Sequence, residues 1–256
     1  MKQSNSNKTA LITGFSSGIG LAYSKYLASK GWSLELVSQE KSRSDRAKEE
    51  LDYSKANFYL SDLSQPESIE RLSKDIPTPD LIVANAGITK FGKAGSLTFQ
   101  EKMDLFYLLC NGVIDLIEAY LPKMIEKENS RIVIISSIGA ITPMPKSSIY
   151  AAAKSAINSY GQSLAKELDQ KGVSVTVSLP GYVRTSAHKR AGLEHLNEKV
   201  PNWMWIEADK VVQETETASI KGKSQVIPGI VYKAVRPFLQ WELANSIWNK
   251  ITKRGF

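Results

Sequence analysis

The 256-residue chain is 42% apolar and 23% charged, the balance of a globular protein long enough for one α/β domain with a full core. Its single cysteine, Cys110, excludes an intrachain disulfide, and the surrounding apolar run LFYLLCNGVI marks it as a buried small hydrophobe rather than a reactive thiol. The net charge of +7 is concentrated late: from Ile220 onward Lys221, Lys223, Lys233, Arg236, Lys250, Lys253 and Arg254 face Glu242 alone. The N-terminus, MKQSNSNKTA, lacks the apolar stretch of a signal peptide. No apolar run reaches the roughly 20 residues of a membrane span, so a cytoplasmic protein is expected.

Along the chain, β-type runs alternate with helical ones. A strand over 9–14 leads into a helix over 20–31. A strand at 33–39 precedes a charged helix at 46–54, and a strand over 56–64 runs into a turn. Pro66 opens a helix over 66–76. A strand over 80–87 precedes a long helix from about Thr98 to Lys127. A β-branched strand at 130–137, a long helix at 148–172 and a strand at 173–181 follow. Strands of continuous Val, Ile and Leu character between helices predict a parallel sheet covered on both faces, a doubly wound three-layer αβα domain spanning the whole chain. Beyond Thr185 the pattern weakens. Residues 186–220 read as a variable segment over a site, with a helix from about Glu207 to Lys221 and a short strand at 225–229.

Gly14, Gly18 and Gly20 stand between the first strand and first helix, in LITGFSSGIGLAY. Glycine is needed where backbone turns tightly and approaches a pyrophosphate without Cβ atoms in the way. The helix N-terminus then offers free N–H groups to the phosphates. Tyr150 and Lys154, four apart in SIYAAAKSA, project from one helix face. A free phenol ionises near 10, too high for efficient proton exchange at neutral pH, and a neighbouring ammonium favours its phenolate. Such a pair exchanges a proton with an oxygen being reduced or oxidised.

The spacing T-G-x-x-x-G-x-G departs from the common dinucleotide fingerprint and resembles the cofactor turn of the short-chain dehydrogenase/reductase family. ANAG (84–87), YAAAK (150–154) and PGYVRT (180–185) extend the resemblance, in order, across residues 9–185. The resemblance implies a Rossmann-type fold and hydride transfer between a nicotinamide and a carbonyl/alcohol substrate. By it, Tyr150 is the general acid/base, and Lys154 lowers its pKa and bonds the nicotinamide ribose. Ser137 holds the substrate oxygen, with neighbouring Ser136 as the alternative. Asn111 completes a proton relay through water. Ser16, Ser17 and Ile19 join the three glycines around the pyrophosphate, while Asp62 and Leu63 contact adenine. Asn85, Ala86 and Gly87 line the cofactor, as do Pro180, Gly181 and Val183, and Thr185 holds the carboxamide. A complete catalytic set implies an enzyme; a silent dinucleotide-binding sensor or scaffold is the alternative.

In the family an acid at the end of the second strand selects NAD, and bases there or before the second glycine select NADP. Here Ser38 takes the acidic position, Gln39 the usual arginine position, and Ser17 precedes Gly18. Ser38 with Lys41 or Arg43 would bind a phosphate, while Glu40 opposes it. NADP(H) is therefore expected ahead of NAD(H).

His188 and His195 have no metal-ligand spacing, so neither a metal site nor a His-dependent hydrolase is expected. The short length and glycine turn also disfavour a nucleotide-sugar epimerase. Trp203, Met204, Trp205 and Ile206 suggest an apolar substrate pocket. In the basic extension over about 230–256, Val235, Leu239, Leu243 and Ile247 share one face widened by Phe238, Trp241 and Trp248. It is read as an oligomer interface, with peripheral membrane contact as the other use. A homodimer or homotetramer and a small-molecule substrate are expected, and no nucleic-acid partner.

Overall fold

Seven parallel strands form the central sheet, in the order β3-β2-β1-β4-β5-β6-β9. They are β1 (Thr9–Thr13), β2 (Ser33–Ser38), β3 (Ala56–Leu60), β4 (Leu81–Ala84), β5 (Ser130–Ile135), β6 (Val173–Ser178) and β9 (Gln225–Val226). The computed structural model describes residues 8–51, 55–90, 92–127, 129–185 and 200–236. The helices are α1 (Gly18–Ser29), α2 (Lys41–Glu49), α3 (Pro66–Asp75), α4 (Phe99–Glu126), α5 (Ser148–Glu167), α6 (Ala208–Ile220) and α7 (Ile230–Val235).

The strands are apolar on both sides because both faces are covered. In β1, Leu11 faces α3, α4 and α5, whereas Ala10 and Ile12 face α1, α2 and α6. Helix α4 starts at a capping box, with Thr98 Oγ1 accepting from the Glu101 N–H at 3.2 Å and the Thr98 N–H donating to the Glu101 carboxylate at 2.9 Å. By length and composition α4 could cross a membrane, which apolar runs alone had not indicated. The fold uses it as a core helix instead, burying Leu105, Leu116, Ile117, Tyr120 and Met124.

Several strands end earlier than the sequence suggests: at Leu60 rather than 64, Ala84 rather than 87, and Ile135 rather than 137. The residues left over form loops at the carboxyl ends of the strands. A two-stranded ribbon was not foreseen: β7 (Tyr182–Arg184) pairs in parallel with β8 (Trp205–Glu207), pinning Val183 opposite Ile206. Helix α2 begins at Lys41, five residues before the expected start, and buries only Ser44 and Ala47. Its first turn carries no apolar periodicity to signal a helix.

Candidate active site

In a doubly wound sheet, ligands bind at the carboxyl ends of the strands where strand order reverses. That switch point lies between β1 and β4. The chain leaves β1 through Gly14, which has φ +69° and donates its N–H to Val37 O at 2.8 Å. A Cβ on Gly14 would lie 2.8 Å from Ala86 Cα, and one on Gly20 2.2 Å from Gly14 O. Only glycine lets α1 pack so closely under its own turn. Gly18, at φ +57°, is closed in by Thr185, whose Cγ2 would sit 2.9 Å from an added Cβ.

Asn85 staples this turn to the end of β4. Its side-chain amide donates to Thr13 O at 2.9 Å and Gly14 O at 3.2 Å, while the Asn85 and Ala86 N–H groups both donate to Thr13 Oγ1 at 3.0 Å. Ser17 leaves the first turn of α1 without a side-chain cap. Its N–H groups thus remain available to an anion beside a cradle that a Cβ would fill, and these residues fit a dinucleotide pyrophosphate.

One continuous cleft runs from this turn; all the residues expected to be catalytic, to form the glycine turn or to bind adenine and nicotinamide line it except Gly20 and Asn111, whereas Lys41 and the expected substrate-pocket residues Trp203, Met204, Trp205 and Ile206 do not. Gly20 lies beneath the turn. At one end stand Tyr150 and Lys154 on α5. Lys154 is 6% exposed and donates from Nζ to Ile135 O at 2.8 Å. Burial pulls its ammonium down to about 8. The two serines divide their tasks: Ser136 Oγ donates to the Lys154 backbone carbonyl at 2.9 Å, and Ser137 Oγ accepts from the Gly139 N–H at 3.1 Å. Ser136 thereby ties β5 to α5, while Ser137 keeps its O–H proton for another acceptor.

Asn111 does not reach this end. It is exposed, because a π-turn over Tyr107–Asn111 sets the register of α4 so that Leu108 and Leu109 face the cleft. Leu109 is fully buried, and a Cβ on Gly87 would lie 2.9 Å from its Cδ2 and 3.9 Å from Lys154 Nζ. An aliphatic side chain, not an amide, therefore stands beside the lysine. Asn111→Ala is accordingly expected to leave kcat/KM within about twofold of the parent, as for an exposed residue away from the reacting groups. A tenfold loss in steady-state assays would return Asn111 to the proton path.

Ser38, Gln39, Arg43, Ser61, Asp62 and Leu63 line the other end. Burial alone would raise the Asp62 carboxyl, but the Ser64 N–H and hydroxyl and the Gln39 amide donate to it and hold it below the ordinary carboxylate range. The PGYVRT wall is braced by Tyr232, which sequence reading had assigned to the C-terminal extension. Its hydroxyl donates to Met204 O at 2.7 Å and accepts from the Tyr182 N–H at 2.9 Å. Its ring fills the space a Cβ on Gly181 would need; that glycine was the available signal. Met204 and Ile206 are buried in this wall, Trp205 packs on Tyr182 with ring centroids 5.5 Å apart, and Trp203 is exposed. His188, His195 and the tail residues Leu239, Leu243, Ile247, Phe238, Trp241 and Trp248 lie outside the described residues.

The short chain dehydrogenase family model matches residues 8–195. The chain belongs to the short-chain dehydrogenase/reductase family. Among the relatives of this short-chain dehydrogenase is the Bacillus subtilis oxidoreductase YmfI, 33% identical over 76% of this chain and 84% of that one. Another is the Haemophilus influenzae 3-oxoacyl-[acyl-carrier-protein] reductase FabG, 31% identical over 70% of this chain and 75% of its own. A solved short-chain dehydrogenase from Sphingobium yanoikuyae in complex with NADPH superposes with a TM-score of 0.81, at 26% identity, covering 96% and 95% of the two chains. As a member of this family the chain is an NAD(P)-dependent oxidoreductase acting on carbonyl/alcohol pairs.

Proposed function

We propose that this short-chain dehydrogenase is an NADP(H)-preferring reductase of apolar carbonyl compounds, with Tyr150 as general acid/base. One observation carries this reading: Tyr150, the buried Lys154 and Ser137 line the same end of a cleft that starts at the glycine turn. Hydride donation and acceptance are the chemistry a bound nicotinamide supplies. In carbonyl reduction, the Tyr150 hydroxyl gives its proton to the carbonyl oxygen as negative charge develops there. Ser137 Oγ, held by the Gly139 N–H, orients that oxygen by donating to it. Lys154 stabilises the phenolate that Tyr150 becomes and bonds the nicotinamide ribose. Thr185, Pro180, Gly181 and Val183 hold the nicotinamide end, and Asp62 and Leu63 the adenine.

Preference for NADP(H) is supported by the uncharged Ser38 at the end of β2 and by the NADPH held in the Sphingobium relative. An apolar substrate is supported by Ile88, Leu108 and Leu109 around the catalytic end. Two relatives point the same way, named as reductases of 3-oxoacyl carrier-protein and fatty acyl-CoA substrates. Phe99 and Met103, 72% and 51% exposed on α4, support pairing between copies through the long helices.

The test is a panel of aliphatic and aromatic ketones, aldehydes and 3-oxoacyl thioesters, followed by NADPH absorbance. Turnover of an apolar member with NADPH, faster than with NADH, is the expected result. Cofactor binding with no turnover across the panel would instead support a silent scaffold.

A further inference from the structure

Leu109 is fully buried in the wall of the catalytic end, where α4 comes closest to Lys154. The point a Gly87 Cβ would take is 2.9 Å from Leu109 Cδ2 and 3.9 Å from Lys154 Nζ. A water oxygen at that point would overlap the leucine methyl and find too few polar partners to hold it. The placement of Leu109 is built into the helix. The Gly112 N–H donates to Tyr107 O, five residues back, and closes the π-turn. A Cβ on Gly112 would lie 3.0 Å from Tyr107 Cε1 and 3.1 Å from Leu63 O, so a larger residue would force the turn apart. The Tyr107 hydroxyl donates to Asp115 at 2.6 Å and clamps the turn from outside. Single π-turns are rare and concentrate at functional sites.

Lys154 is correspondingly short of partners. An ammonium has three N–H donors. Among the described residues Nζ has one hydrogen-bond acceptor, Ile135 O on β5 at 2.8 Å. Tyr150 faces it from its own helix, and Gly87 brings no side chain. From α4 it is faced by Leu109 and the Cys110 thiol, which is 3% exposed and a weak acceptor. Burial disfavours the lysine's charge, and the Cys110 thiol is the titratable group that favours it.

We infer that Leu109 is a positioning residue of the reaction: an aliphatic seal that keeps water from Lys154 on the α4 side and so fixes the pH above which the Tyr150–Lys154 pair stops supplying protons. The inference rests on the catalytic reading above and deepens it. An amide in place of Leu109 would give the ammonium an acceptor or hold a water against it, and hydrogen bonding to the charged form favours that form. Leucine does neither. The ammonium therefore holds its proton less firmly, and its charge is what favours the Tyr150 phenolate.

The experiment titrates Lys154 directly in the full chain, by NMR of lysine labelled with carbon-13 at Cε, in the parent, Leu109→Asn and Leu109→Met, with Lys154→Met identifying the signal. The same Leu109 variants are assayed for kcat/KM of carbonyl reduction against pH. The parent signal is expected to titrate at about 8. Leu109→Asn should move that midpoint up by at least about one pH unit, a tenfold change in acidity, and the upper limb of the kcat/KM profile should move with it. Leu109→Met, a volume-conserving apolar swap, should leave both within about 0.3 pH unit. Lost packing alone would lower stability and rate at every pH without moving either midpoint. Should Leu109→Asn fail to fold, Leu109→Thr, which brings a hydroxyl on a shorter stem, carries the same comparison.

A Lys154 midpoint that stays put in Leu109→Asn overturns the inference, as does an equal shift in Leu109→Met. A lysine that shifts while the limb of the kcat/KM profile does not overturns it too, since the seal would then not govern the reaction. A shifted lysine in a protein that reduces no carbonyl of the panel would sink the catalytic reading and leave Leu109 as the seal of Lys154. Turnover with an unmoved lysine would do the reverse.

Discussion

Tyr150→Phe is expected to lower kcat/KM for carbonyl reduction about 10³-fold, within the range that general acid–base catalysis contributes, while NADPH affinity stays within about threefold. The ring keeps its place on α5, so the cleft keeps its shape; only the proton carrier is lost. Lys154 sets the pH range of the effect. Its ammonium is buried, its Nζ donates to Ile135 O, and desolvation brings its ionisation down to about 8. A base with a depressed pKa loses its proton early. The positive charge on Lys154 is therefore largely present at pH 7 and is lost as pH rises through about 8. Reduction should fall over that interval, measured as kcat/KM from about pH 6 to about pH 10, and the residual rate of Tyr150→Phe should be nearly flat. A variant retaining a tenth of parental activity would remove Tyr150 from the proton path.

The catalytic end was legible where chemistry is written as local spacing. The glycines of the first turn are readable because a positive φ at Gly14 and Gly18 and the contact under Gly20 leave no alternative residue. The Tyr150/Lys154 pair is readable because i and i+4 share a helix face. Asn111 was not placed correctly because a π-turn changes helical register within one turn, and nothing in YLLCN announces it. Leu109 lies in the apolar run around Cys110, with nothing local to single it out. Its importance depends on Gly87 and Lys154, which come from β4's exit loop and α5 and meet it only in the folded chain. The strand–helix alternation gave the doubly wound order, since buried parallel strands read as unbroken apolar runs. It did not give the β7–β8 ribbon or Tyr232's place behind Gly181, both set by contacts between distant segments. Arg43 was weighed only as a charge near Ser38. The early start of α2 puts Arg43 on its first turn, which polar residues with no apolar stripe could not signal.

Glu216→Ala is expected to destabilise the fold by about 3–5 kcal/mol, the cost of breaking a buried ion pair. Glu216 on α6 is 2% exposed and receives three donors: the Tyr23 hydroxyl of α1 at 3.0 Å, and both terminal nitrogens of Arg131 on β5 at 3.2 Å. Arg131 also donates to Ser219 Oγ at 2.9 Å and lies over the Trp32 ring, 5.7 Å from its centroid. Removing the carboxylate strands a largely buried guanidinium and a fully buried phenol, whose ionisation burial and Glu216 already drive well above the ordinary value. The double variant Arg131→Met, Glu216→Met should recover much of the loss, because both desolvated charges leave together. Urea unfolding of the parent, single and double variants measures both effects. Arg131 is the second residue of β5, at the amino end of the sheet, and the cleft is at the carboxyl end. Folded Glu216→Ala should thus turn over substrate within about twofold of the parent, since sites with no shared partners act independently. A loss of turnover matching the loss of stability would mean that the two ends of the sheet are coupled through β5, whose last carbonyl, Ile135 O, holds Lys154.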